Sequence, residues 1–280
     1  MTWTTLYGIA RGLSIATLAI AVCWVFERMH PAVKDGGIRG RLHNLGLFAL
    51  VSIGMAMLLP LIDLLEATRP RRPLVDLLFP NWRRDEFVDA ATGLLIYAFV
   101  WDFFQYWAHR LQHSVPVLWL FHRVHHSDDC MNGSTAIRKS LGSRLIVFFL
   151  AHVPTYWVCG GGLLTAMGSI ILFSGWGYYN HANVRLNLGL FTGIVSGPQW
   201  HRLHHGISPA YHDCNFAAFF PVIDLMFGTF RKPRRNEWPA TGVAGVASIG
   251  NSVVQAYAPF LAPRRSRRSG KEIRSWQTWE

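Results

Sequence analysis

Three short runs of this chain gather imidazoles at helical spacing: His109 and His113; His122, His125 and His126; and His201, His204 and His205. Residues three or four apart share a helix face, so each run aims two or three imidazoles in one direction. Neutral imidazole is a ligand for iron, zinc, copper and nickel. One tetrahedral zinc takes about four ligands. With His181, which follows a long apolar stretch and precedes Asn183, the set suffices for two metal ions at four or five ligands each. Asp102, Tyr106, His109 and His113 fall at i, i+4, i+7 and i+11, one stripe on one helix. A carboxylate there is placed to hold the second N–H of a ligand ring, the usual companion of a metal-bound histidine. Asp102, Tyr106 and Asn183 are therefore expected at the site beside the nine histidines, in catalytic or supporting roles. His30, His43 and His152 stand alone and are expected to be bystanders. His212, seven residues after His205, is assigned to neither class.

Such a ligand set needs a scaffold, and the composition describes a membrane one. Of the 280 residues, 51% are hydrophobic and only 15% charged, where soluble domains carry about 25% charged residues. Apolar runs of about 20 residues, enough to cross a bilayer, lie near 6–26, 45–65 and 87–107. The first reads as an uncleaved anchor helix, because no basic residue precedes Thr5 and the apolar run continues past Ala21. The third contains Asp89, which suits a helix start, and Asp102, a functional candidate because ionisable groups inside membrane helices are costly. It is expected to continue past the membrane surface and deliver His109 and His113. Residues 145–179 exceed one span and are expected to form a helical hairpin, cut at Pro154 and Gly160-Gly161-Gly162. The expected fold is all-α: an integral membrane helical bundle capped by a histidine-rich metal-binding region. It divides into a transmembrane hairpin and connector (1–86), a catalytic domain (87–235) and a C-terminal segment with a basic tail (236–280).

The charge balance is +11, from 27 Lys and Arg against 16 Asp and Glu. The positive residues flank apolar runs, which is the loop bias of membrane proteins and not a nucleic-acid interface. Seventeen of the 27 lie from Arg110 onward, which puts the histidine clusters on the cytoplasmic face. The arginines between Glu66 and Glu86 run against that assignment. The basic stretch at Arg264 to Arg268 is expected to be disordered or to lie on anionic lipid. Cys23, Cys130, Cys159 and Cys214 form no CxxC pair, so neither a zinc knuckle nor a disulfide framework is indicated.

The run Trp101-Asp-Phe-Phe-Gln-Tyr-Trp-Ala-His-Arg-Leu-Gln-His113, followed by Leu118-Trp-Leu-Phe-His-Arg-Val-His-His-Ser127, closely resembles the fatty acid hydroxylase/sterol desaturase superfamily. So do His181-Ala-Asn183, Pro198-Gln-Trp-His-Arg-Leu-His-His205, Asp213-Cys-Asn215-Phe and Phe227-Gly228-Thr229. The resemblance covers about Asp102 to Phe230. It implies an integral membrane enzyme with two iron ions that uses O2 and external electrons on lipid C–H bonds. Its eight-histidine signature falls here on His109, His113, His122, His125, His126, His201, His204 and His205, and His181 matches a further family histidine. Family members often carry Arg-x-His-Pro-x-Glu after the second cluster. This chain instead has Arg138-Lys139-Ser140-Leu141-Gly142-Ser143.

The leading functional reading is therefore an oxygenase that hydroxylates or desaturates a fatty acyl, sterol or isoprenoid chain. Zinc is a possible occupant of the same site as purified. No flavin, haem or iron–sulfur motif accompanies it, so electrons are expected from a separate ferredoxin- or cytochrome-type protein. That donor is expected to dock on basic residues around the histidines: Arg110, Arg123, Arg138, Lys139, Arg185, Arg202, Arg231, Lys232, Arg234 and Arg235. One alternative keeps the site but fills it with zinc to activate water for hydrolysis. It would need a carboxylate base, for which Asp102 is the obvious candidate. Another is a metal permease or storage protein, whose ligands would be spread along facing membrane helices rather than bunched at helix ends.

Overall fold

Two long helices carry the architecture, and prolines mark where both stop. Helix α1 (Trp3–Met29) ends just before Pro31, and helix α4 (Phe87–Ser114) ends just before Pro116, which opens α5 (Pro116–His126) from its first turn. The computed structural model describes residues 3–58, 72–78, 87–160 and 163–257. The remaining elements are α2 (Ile38–Ala56), α3 (Leu74–Leu78), α6 (Leu141–Cys159), α7 (Leu163–His181), α8 (Pro198–His204), α9 (Val222–Met226) and α10 (Ser252–Tyr257). Among the described residues there is no strand, only two isolated bridges, Pro31 with Val184 and Gly206 with Thr241. The all-helical expectation holds.

Helix α4 has 28 residues. At ~1.5 Å per residue it is ~42 Å long, some 12 Å more than a ~30 Å hydrocarbon core. Its last two turns, with His109 and His113, therefore have room to stand beyond an apolar layer. Among the described residues, Thr5–Met29 and Leu141–Cys159 are long and apolar enough to cross a membrane. Helix α1 turns a row of large apolar side chains outward, with Leu18 at 67% and Val25 at 58% exposure. Exposed apolar surface on that scale belongs against lipid or another protein. The span expected at 45–65 is displaced: α2 begins at Ile38 and ends at Ala56, and 59–65 lie outside the described residues. The tail at Arg264 to Arg268 and most of the 66–86 connector also lie outside them.

Pro154 does not cut the chain, as its type suggested. The helix runs unbroken from Leu141 to Cys159, through a π-turn at Phe148–His152 directly before Val153 and Pro154. A proline has no N–H and crowds the carbonyl four residues back. The wider π-turn takes up both defects and leaves the helix intact. The real break is Gly160, whose φ of 63° is left-handed backbone that suits glycine.

The first two helices are tied into the cap by buried polar groups. Arg41 of α2 pairs with Glu27 of α1 at 2.5 Å, both fully buried. The other Glu27 oxygen accepts the backbone N–H of Gly133 at 2.7 Å and of Asn183 at 2.9 Å. Asn44 of α2 donates to Asp128 and Ser134 and accepts from Arg138. A buried pair of this kind adds little net stability, but its fixed geometry sets where α1 and α2 meet the histidine-bearing segments. Helix α4 packs against α5, α6 and α7, and α10 closes on α2, with Tyr257 donating to the Leu50 carbonyl at 2.7 Å.

Candidate metal centre

The nine histidines converge as two groups. His109, His113, His122, His126 and His204 form one, and His125, His181, His201 and His205 the other; within each group all ligand atoms lie within 4.8 Å of one another. The groups adjoin, since the rings of His126 and His205 stack at 4.2 Å between centroids. The partition refines the expectation that each cluster aims one way. Pairs at i and i+4 stay together (109 with 113, 122 with 126, 201 with 205), whereas His125 and His204 each cross to the other group. Adjacent helical residues point about 100° apart, so each His-His pair sends one ring to each group.

Backbone carbonyls fix the tautomers. Nδ1 of His109 lies 2.8 Å from the Phe216 carbonyl, that of His204 2.7 Å from Cys214, that of His181 2.7 Å from Gly177 and that of His125 3.1 Å from Arg138. A carbonyl only accepts, so each Nδ1 carries the proton and each Nε2 keeps a lone pair. For His122 the support is a relay: Nδ1 contacts the Ser143 hydroxyl at 3.3 Å, and that hydroxyl donates to Gln112 Oε1 at 2.7 Å. Nδ1 of His113 faces Asp213 Oδ1 at 3.4 Å.

The lone pairs then face one another. Nε2 of His125 and His181 are 3.2 Å apart, although both rings carry their proton on Nδ1. Nε2 of His201 and His181 are 3.0 Å apart, and Nε2 of His126 lies 3.1 Å from His113 and 3.2 Å from His122. The buried Nε2 atoms of His109 and His204 and both ring nitrogens of His205 have no hydrogen-bond partner. Each such orphan costs about 1–3 kcal/mol. Burial pushes every one of these imidazoles down, His109 to about 4 and His181 to about 3, with neighbouring charge adding to the shift. They are held in the neutral form that metals require. A ring of converging neutral donors with nothing to donate to is what a cation resolves, and the nine side chains fit a pair of metal ions on this ground.

One loop does most of the positioning. Residues 213–216 supply the Asp213 carboxylate and the Cys214 and Phe216 carbonyls. Asp213 and Asn215 adopt φ of 56° and 62°, left-handed conformations that Asp and Asn tolerate better than most residues. They turn the carbonyls of Cys214 and Phe216 to the rings. Asn215 is anchored on both sides: its amide donates to the Trp200 and Arg231 carbonyls, and its oxygen accepts from the Arg231 N–H. Asp224 accepts the N–H of Phe216 and Ala217 at 2.8 and 2.9 Å and the Thr229 hydroxyl at 2.7 Å, which fixes the far end of this loop.

Asp102 does not hold a ligand ring. Its two oxygens accept the backbone N–H groups of Ala218, Phe219 and Phe220 at 2.6, 2.8 and 2.7 Å. The stripe on α4 is real, but the carboxylate turns to the loop behind the rings. Tyr106 is fully buried, shares a 3.0 Å hydrogen bond with Thr229 and accepts from Arg110 at 2.9 Å. Asn183 binds the N–H and carbonyl of Val33. The three non-histidine residues expected at the site thus brace it and hydrogen-bond to none of its imidazoles. His212 joins neither group. His43 meets Gln255 and Ser252, and His152 receives the Trp101 N–H. Ser143 and Asp213 went unread as partners of ligand rings, as did Gln112 behind Ser143.

The basic surface is smaller than the sequence suggested. Arg138 is buried, donating to the Val124 carbonyl, Asn44, Ser127 and the Ser248 carbonyl, and Arg202 is buried against the Pro239 carbonyl. Arg185, Lys232, Arg234 and Arg235 are exposed.

Comparison with known proteins follows this geometry. The fatty acid hydroxylase family matches residues 94–229, which contain all nine histidines. The alkylglycerol monooxygenase of Xenopus tropicalis is 32% identical over 129 residues, covering 46% of this chain and 28% of its own length. The ornithine lipid hydroxylase of Rhizobium tropici is 30% identical over 174 residues, 61% of this chain and 50% of its own. A very-long-chain aldehyde decarbonylase of Oryza sativa is 28% identical over 150 residues, 50% of this chain and 47% of its own. The chain spans between about a quarter and a half of the length of these relatives. No solved structure gives a significant match.

Proposed function

We propose, from the match of residues 94–229 to the fatty acid hydroxylase family, that the protein oxidises a C–H bond of a membrane lipid with O2, at two iron ions held by the nine histidines. The observation that carries the reading is the pair of adjoining, wholly imidazole groups with their Nδ1 protons tied to carbonyls and their Nε2 lone pairs converging. When bound, the two irons would supply O2 reduction and the oxidising power for hydroxylation or desaturation.

The chain's own residues do the rest. Phe216, Cys214, Gly177 and Arg138 hold four rings in one tautomer through their carbonyls, and Ser143 with Gln112 holds a fifth. Buried Tyr106, Trp200 and Phe216 pack behind the rings and keep water out. The apolar faces of α1 and α6 supply a lipid-facing body, with the site at the end of α4 beyond it and, from the Lys and Arg distribution, on the cytoplasmic side. Reducing equivalents come from a separate protein, since the chain carries no motif for a redox cofactor other than these histidines. A zinc hydrolase would need a carboxylate base on the metal side of the rings. Among the described residues, the acid in contact with a ligand ring, Asp213, stands instead at the Nδ1 side of His113.

The test is to load purified protein with iron anaerobically, measure the metal per chain, and profile lipids of cells with and without the active protein. Two irons and a lipid gaining one oxygen or losing two hydrogens are expected. A stoichiometry near one, or full activity with zinc alone, would overturn the reading.

A further inference from the structure

Lys139 immediately precedes α6 with its Ser140 cap, and Arg144 lies in the first turns of that helix. Both side chains are only partly accessible, and Arg138, the residue before Lys139, lends its carbonyl to His125 of the centre. Among the described residues neither cation forms an ion pair, and no carboxylate's charge reaches either. The charged group that acts on Lys139 is Arg144, a like charge. Two partly buried cations with no acid on either are costly unless an anion completes them.

The place of this pair decides what the anion does. The Lys139 charge reaches His109, His125, His181 and His201, members of both histidine groups. The Arg144 guanidinium lies over the Phe48 ring at 5.8 Å and also acts on Tyr178, on the side where α1 and α2 meet α7. One cation thus looks toward the imidazoles and the other toward apolar helices. Lys139 also stands in the stretch where this chain departs from the common family pattern.

Resting on the proposed oxidation of a lipid, we propose that Lys139 and Arg144 are the receptor for an anionic headgroup of the substrate, a carboxylate or a phosphate on a long apolar chain. The headgroup bridges the two cations, the chain runs among the helices, and the carbons nearest the headgroup stand against the imidazoles. Burial and Arg144 together push the Lys139 ammonium down to about 8, so it is still charged at neutral pH. Charge-assisted hydrogen bonds of this kind, at ~1.5–3 kcal/mol each, set the expected preference at about tenfold or more per cation.

The experiment is equilibrium binding to the full chain in nanodiscs of zwitterionic phosphatidylcholine, metal-free and without O2. The probes are radiolabelled palmitate, hexadecyl phosphate and hexadecanol. Palmitate or hexadecyl phosphate is expected to bind at least tenfold tighter than hexadecanol, and whichever binds tighter identifies the headgroup. In the Lys139→Met/Arg144→Met double variant the preference vanishes while hexadecanol binding stays unchanged. Cobalt binding checks that the histidine groups survive in that variant. If it fails to fold, Lys139→Arg, which keeps the preference, against Lys139→Gln, which loses most of it, reads the same charge. Equal binding of all three probes by the unaltered protein, or a preference retained without the charges, overturns the proposal. Neither result touches the oxidation reading, which the lipid profile and metal count test separately.

Discussion

Asp102 offers a sharp test, because its position on the histidine stripe and its actual partners point to different outcomes. The carboxylate accepts three backbone N–H groups, from Ala218, Phe219 and Phe220, and is wholly buried. In Asp102→Asn, the amide oxygen can keep the two N–H groups now shared by Oδ2, at neutral strength. The amide nitrogen then faces the Ala218 N–H, donor against donor. Three bonds to a charged acceptor, at ~1.5–3 kcal/mol each, become two neutral ones near ~1 kcal/mol and one buried unpaired N–H. The sum runs from about 3 to 10 kcal/mol, and the lower end applies because the amide escapes the desolvation cost of a buried carboxylate. At ~2–4 °C per kcal/mol for a chain of this size, the apparent melting temperature falls by roughly 10 °C.

The effect on metal is smaller. Asp102 reaches the rings only through the loop whose Phe216 carbonyl holds His109, and Asp224 still holds that loop at Phe216 and Ala217. Metal affinity is therefore expected to drop by less than about tenfold, below the ~10–100-fold typical of a lost direct partner. Thermal unfolding of the metal-free protein and competitive cobalt titration measure the two effects separately. An unchanged melting temperature with metal affinity reduced more than a hundredfold would refute the reasoning and return Asp102 to a ligand ring.

Asp213→Asn is expected to give the opposite pattern, a ~10–100-fold loss of metal affinity with little change in melting temperature, since Asp213 is more than half exposed and faces His113; a stability loss without a metal effect would contradict it. Ser143→Ala removes the hydroxyl between His122 and Gln112, and cobalt titration is expected to show a similar weakening confined to the first histidine group. His109→Ala and His204→Ala abolish activity and metal loading at that group while membrane insertion persists. His43→Ala, which loses only contacts to Gln255 and Ser252, costs about 1 kcal/mol and leaves metal content unchanged. Turnover with an acidic ferredoxin-type donor is expected to fall with ionic strength and to fall further in Arg234→Ser/Arg235→Ser; a rate indifferent to both removes the docking role of those two arginines.

The histidines were legible because ligands at i, i+3 and i+4 leave a mark that few other purposes leave. Their division into five and four was harder to read, since it depends on the crossing of His125 and His204 between groups, and so on where three helices sit. The supports were legible only in part. Backbone carbonyls have no letter in a sequence, so the parts played by Cys214, Phe216 and Gly177 could not be read there. Asp213 and Asn215 left a faint mark, two left-handed-tolerant residues flanking one cysteine. Asp102 was misdirected because a stripe gives a face but not a rotamer. Arg138 and Arg202 were read as surface charge because solvent is the ordinary place for arginine; both are buried on carbonyls.

The two misread arginines and the lysine beside one of them bear on what the site lacks. Neither histidine group contains a carboxylate, so the side chains converging on the centre bring no negative charge. Of the acids around it, Asp102 and Asp224 are consumed by backbone N–H groups, and Asp213 lies on the outer side of His113. Asp128 is taken by Asn44, Thr135 and Cys130. Arg138 adds a buried positive charge satisfied by neutral oxygens, and Lys139 and Arg144 add two more with no acid on either. The converging ligands themselves are all neutral imidazoles, so metal loading adds positive charge that no ligand side chain offsets. Burial first, and the Arg144 charge second, push the Lys139 ammonium down, and a cation pair with no acid on either member rewards a negative group that reaches it. On the proposal that Lys139 and Arg144 receive an anionic headgroup, a neutral lipid of the same length is expected to be a poorer substrate as well as a weaker ligand.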